Sequence, residues 1–160
     1  MEPASPTAPV AAPQSADELP PEAIALAGRF FDAARSGQLD IFEQALPRGL
    51  PANLTNDKGD TLLMLASYHG HAPLASLLVQ HGADPNRLND RGQSILAGVV
   101  FKNEAEVIDI LLEAGADPEL GQPSAIEATR VFRQEAYEQK FKEQVEKLKA
   151  AGARAMDGSS

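Results

Sequence analysis

The sequence predicts an all-α solenoid of stacked helix-turn-helix units, with β-turn tips and a long C-terminal capping helix. Three observations predict it. A 33-residue stretch, Asp57 to Asn89, is followed without a gap by a second of equal length, Asp90 to Gln122. Each stretch sets out a turn signal, a short apolar helical pattern, a helix-ending residue and a second helical pattern in the same order. A helix pair this short cannot bury its apolar face alone, so the copies have to stack, each touching only its neighbours.

The elements follow in chain order. Residues 1–21 carry Pro3, Pro6, Pro9, Pro13, Pro20 and Pro21, mostly spaced by Ala, Ser and Thr, with Glu2, Asp17 and Glu18 as acids, Glu22 just beyond, and no base. Such a stretch cannot repay the entropy of ordering and reads as a mobile, partly polyproline acidic tail. The repeat domain is expected over 22–153, in copies of about 24–56, 57–89, 90–122 and 123–153. Copy one is found by stepping back 33 residues: Gly37, Gly49, Asn53 and Asn56 match Gly70, Gly82, Asn86 and Asn89.

In copy two, Asn56 to Asp60 is a turn in which Asn and Asp bond the backbone and Gly59 supplies positive φ. Thr61 sits where a capping hydroxyl is wanted. Leu62, Leu63, Leu65 and Ala66 form the apolar side of a first helix that Gly70 ends. A second helix starts near Pro73, a residue suited to a first turn, and carries Leu74, Leu77 and Leu78 before Gly82. Asp84-Pro85 then begins an extended return. Copy three repeats this with Ser94 as the cap, Ile110-Leu111 in the apolar block and Gly115-Ala116-Asp117-Pro118 at the end. Asn103 stands where the first helix of copy two has Gly70, and asparagine tolerates that conformation. Copy four opens at Ser124-Ala125-Ile126 and closes at Gly152-Ala153. Its second helix is expected from about Gln134 to Ala150, with Tyr137, Phe141, Val145 and Leu148 on one face and charged residues around the rest. That is a solubilising cap. Arg154 to Ser160 reads as a second loose end.

Composition narrows the function. Lys+Arg is 14 and Asp+Glu is 23, so 14 − 23 gives a net charge of −9. That balance argues against a nucleic-acid binder and against docking on an anionic membrane, both of which rest on Lys and Arg. With no cysteine, disulfides, thiolate nucleophiles and thiolate metal sites are excluded. No apolar run is long enough to span a bilayer, and the N-terminus lacks the basic and apolar regions of a signal peptide. The expectation is a cytoplasmic monomer.

The repeat resembles the ankyrin family. The residues that carry the resemblance are Gly59-x-Thr61-x-Leu63, Ala66, Gly70-His71, Leu77-Leu78 and Gly82-Ala83-Asp84-Pro85-Asn86, with their echo 33 residues on. The family's Thr-Pro-Leu-His becomes Thr61-Leu62-Leu63-Met64 and Ser94-Ile95-Leu96-Ala97. Inter-repeat hydrogen bonds made by that histidine are therefore expected to give way to packing. The resemblance implies a protein-binding scaffold without chemistry of its own, in which turn tips and first helices line a concave groove. By position in the repeat, the contact residues are Asp57, Lys58, Asp60, Tyr68 and His69 in copy two, and Asp90, Arg91, Gln93, Phe101 and Lys102 in copy three. Tyr68 and Phe101 match across the period. They are read either as partner anchors, a role aromatic residues often take, or as rings tucked between neighbouring first helices. Copy one offers Arg35 and Ser36 at those places. An enzyme regulator acting through an acidic surface and a self-associating dimer are the alternatives.

Other chemistry is weak. His69 and His71, two apart on a helix, should face away from each other; His71 reads as structural, and His81 sits in a helix's last turn. No metal or cofactor is expected. Glu104, Glu106, Asp109, Glu113, Asp117 and Glu119 make copy three the acidic centre, read as a solvated face or as a docking patch for a basic partner. No phosphate loop, HExxH or GxSxG motif occurs, so no enzyme is expected.

Overall fold

The computed structural model describes residues 21–156. Among them are α1 (Pro21–Ser36), α2 (Leu39–Ala45) with a 3₁₀ turn at Leu46–Arg48, α3 (Leu62–Tyr68), α4 (Ala72–Gln80), α5 (Ile95–Lys102), α6 (Ala105–Glu113), α7 (Ala125–Val131) and α8 (Glu135–Met156). The proline-rich stretch expected to be mobile lies, but for Pro21, outside the described residues.

Hydroxyl caps start the first helices. Thr61 Oγ1 accepts the Met64 N–H at 3.0 Å, Ser94 Oγ the Ala97 N–H at 3.1 Å, and Ser124 Oγ the Glu127 N–H at 3.1 Å. Each such cap contributes about 1 kcal/mol. Left-handed residues end the same helices: Gly70 at φ +77° and Asn103 at φ +56°. The turn before α3 closes through Asn56 N–H to Asp60 O at 3.0 Å and a bridge between Thr55 and Thr61.

The helices stack in two rows. α1, α3, α5 and α7 pack in sequence to form one row, and α2, α4 and α6 form the other. One continuous core runs through both, from Ala27 and Phe31 to Phe141, and Leu62, Leu63, Leu78, Ile108 and Leu111 are fully enclosed in it. Burying side chains of this size stabilises by roughly 1.5–3 kcal/mol each.

Packing is joined by inter-repeat hydrogen bonds, which corrects the expectation that packing alone would replace the missing histidines. Asn53 Nδ2 donates to Gly82 O at 3.2 Å, and Asn53 Oδ1 accepts the Asp84 N–H at 2.7 Å. One repeat on, Asn86 makes the same pair with Gly115 O at 3.1 Å and Asp117 N–H at 2.7 Å. The tips join through Asp90 N–H to Lys58 O and Gln122 N–H to Gly92 O, both 3.0 Å. The approach is so close that a Cβ on Gly59 would sit 2.8 Å from the Asp90 nitrogen.

Three local expectations change. Asp84–Pro85–Asn86 forms a turn rather than an extended return, because Asp84 Oδ1 accepts the Asn86 N–H at 2.9 Å. Copy four is shifted: Ser124 follows Ser94 by 30 residues, not 33, so Arg133 takes the left-handed position of Asn103, at φ +55°. Gly152 does not close that copy. α8 continues past Ala150 to Met156 and so includes the start of the stretch expected to be loose. Alanines on both sides of Gly152 sustain the helix against the roughly 1 kcal/mol that glycine costs.

Candidate functional site

Helices α3, α5 and α7 have only about two turns each, so their two sides are easily told apart. In α3, Leu62, Leu63, Leu65 and Ala66 are buried, while Met64 and Tyr68, four residues apart, share the side that faces outward. Ala97 and Phe101 repeat the pair in α5, and the shifted register of copy four puts Val131 and Phe132 at the end of α7. Tyr68 is 39% exposed, Phe101 55%, Val131 69% and Phe132 41%.

Tyr68, Phe101 and Phe132 lie close together on the outward side of these helices. The Phe101 and Phe132 rings lie 5.1 Å apart, and Lys102 Nζ sits 5.0 Å above the Tyr68 ring. A cavity of about 260 Å³ opens among Met64, Tyr68, Gln93, Ala97, Gly98, Phe101, Pro123 and Phe132. It exists because α5 carries small residues, Ala97 and Gly98, where α3 carries Met64 and Leu65. Each ring has one side on a neighbouring copy, Tyr68 beside Gly98 and Phe101 beside Phe132, and the other in solvent.

The ten candidate residues divide into two groups. Tyr68, His69, Phe101 and Lys102 come together at the carboxyl ends of α3 and α5, and Gln93 lines the cavity from the other end. Asp57, Lys58, Asp60, Asp90 and Arg91 lie at the tips. Asp60 and Gln93 are tied to the stack: Asn89 Nδ2 donates to Asp60 Oδ1 at 3.0 Å and to Gln93 Oε1 at 2.8 Å. Asp90 closes over Gly59. Phe132 and Met64 are groove residues that the sequence reading missed. The signal for Phe132 was the Ser94-to-Ser124 interval, which resets the register by three residues.

Comparison with known proteins agrees with this geometry. The family model for ankyrin repeats in three copies matches residues 30–122, which is 93 of 160 residues. The chain belongs to the ankyrin repeat family. An ankyrin repeat protein of Pseudomonas aeruginosa is 59% identical over 49 residues, which cover 31% of this chain and 29% of that relative. The chain thus matches less than a third of that relative's length. Ankyrin repeats generally mediate protein–protein interaction and generally act as non-catalytic scaffolds.

Within this ankyrin array, His71 is a structural residue. Its Nε2 lies 2.7 Å from Arg35 O, and its ring occupies the space that a side chain on Gly37 would need. The expectation that His69 and His71 face apart assumed one helix; Gly70 breaks it, and the two rings lie nearly parallel with centroids 6.5 Å apart. Burial, followed by the charges of His71, Lys102 and Arg35, holds the His69 imidazole below its ordinary pKa of 6.5. Among the described residues no group of three or more His, Asp or Glu is placed to hold a metal, and no helix is long and apolar enough to cross a membrane.

The acidic patch of copy three is partly used internally. Asp109 pairs with Lys140 of α8 at 2.9 Å, Asp117 Oδ1 accepts the Glu119 N–H at 2.9 Å, and the Glu104 carboxylate lies over Gly70. The shift resolved for Glu138 is downward, because Lys142 hydrogen-bonds its charged form.

Proposed function

We propose that this chain binds a partner protein through its concave groove, with Tyr68, Phe101 and Phe132 as the apolar anchor and the turn tips as a polar rim. The supporting observation is the row of half-exposed rings around a cavity of about 260 Å³. Aromatic side chains left in solvent beside a pocket are the usual hot spots of an interface. The stack holds the groove in shape before binding, which limits the ordering cost of association.

Capture from native extract, followed by mass spectrometry, tests this with wild type beside the Tyr68→Ala/Phe101→Ala variant. A protein retained by wild type and lost by the variant is the expected result. Equal retention by both would move the site off the groove. Circular dichroism of the variant should match wild type, because both rings are half-exposed and lie outside the buried core.

A further inference from the structure

Charge is distributed unevenly along the groove. Asp57, Asp60 and Asp90 lie at the tips with Lys58 and Arg91, at the amino ends of the first helices. Arg35, Lys102 and Arg133 lie at the carboxyl ends in copies one, three and four, where the Glu104 carboxylate lies over Gly70. Arg35 is held by Asp32 at 2.8 Å. Lys102 makes its contact with the Tyr68 ring, and neither it nor Arg133 has an ion pair among the described residues. In a chain of net charge −9, a cationic groove end runs against the overall balance.

We infer that the groove selects a peptide segment with a large apolar side chain flanked by carboxylates, the apolar group entering the cavity beside Phe101 and Phe132 and the acids lying against Lys102 and Arg133. This rests on the groove reading above and adds the chemistry of the occupant. Exposed ion pairs contribute little affinity, so the apolar anchor holds the segment and the cations set its sequence preference and on-rate.

Panning a phage-displayed random-peptide library on the full chain tests the inference. Wild type should enrich peptides with Phe, Trp, Leu or Met next to Asp or Glu. Lys102→Glu should shift the flanking residue toward Lys or Arg, with circular dichroism confirming the fold. Lys102→Met should weaken a selected acidic peptide up to about fivefold, with a loss that shrinks as salt rises. Apolar peptides enriched with no acid preference, alike on wild type and Lys102→Glu, overturn the charge inference and leave the groove standing. The same peptides retained by Tyr68→Ala/Phe101→Ala overturn the groove reading itself. Enrichment of no sequence by wild type overturns a linear segment as the occupant.

Discussion

Asn86 is worth more to this molecule than its place in a loop suggests. Its amide serves two backbone groups of the next copy, Gly115 O and Asp117 N–H. Asn86→Ala should therefore cost about 1–3 kcal/mol, the range for unpaired backbone groups, read as a lower urea midpoint at unchanged m-value. The recurrence of asparagine 33 residues apart was visible in the sequence. Its partners were not, because they lie 29 and 31 residues downstream and only stacking brings them near. His69 offers a second residue-level test. Its neutral form is favoured by burial and then by His71 and Lys102, so its folded pKa is below the unfolded 6.5. As pH falls, the unfolded chain takes up the proton first. His69's contribution to stability is therefore intact above about pH 6.5 and declines through the window below it, down to the folded pKa. An NMR titration should place His69 below 6.5, and Lys102→Met should move it upward; an unmoved midpoint would remove Lys102 from its surroundings.

The elements were the most legible level, because each is announced by local chemistry. Thr61, Ser94 and Ser124 do cap helices, and Asn103 does take the left-handed position that Gly70 holds in copy two. Copy four was harder to read. Its shortened connection moves the register by three residues, so Phe132, and not a residue three farther on, lines the cavity. Gln144 was also missed. It lies among the charged residues of an amphipathic helix, yet it is buried and donates to Leu112 O at 2.8 Å and Ala116 O at 3.1 Å. The capping helix α8 is thus fastened by Gln144 and by the enclosed ring of Phe141. Phe141→Ala should destabilise by about 3–5 kcal/mol, the usual cost of emptying a buried phenylalanine site. Hydrogen exchange should locate the loss in α7 and α8. Equal loss of protection in α1 and α2 would show instead that the stack melts as one unit.

At the scale of the whole molecule the question is how far such a loss travels. Packing partners follow chain order, α1 with α3 and α5 with α7, so each copy communicates with a distant one only through those between. A linear stack of this kind is stabilised by units and by the interfaces joining them, and its cooperativity depends on the weakest interface. Copy three is the bridge between copies two and four. Leu111, fully buried on α6, is the place to weaken it, and Leu111→Ala should cost about 2–5 kcal/mol. The chain supplies its own reporters: it has two tyrosines and no tryptophan, with Tyr68 in copy two and Tyr137 in copy four. Tyr137→Phe leaves Tyr68 as the emitter, and Tyr68→Phe leaves Tyr137. On the parent background the two urea curves should coincide, because the intact interfaces couple the copies. With Leu111→Ala added, the Tyr137 curve should move to lower urea than the Tyr68 curve, as copy four unfolds while copies one and two persist. Because Tyr137 O–H donates to Asn103 Oδ1 at 2.8 Å, the Tyr137→Phe control must itself be compared by circular dichroism. Curves that still coincide after Leu111→Ala would mean that coupling between copies exceeds the energy of one emptied core site. The groove would then be a single rigid body, and the end of it formed by Phe132 could not open independently of Tyr68.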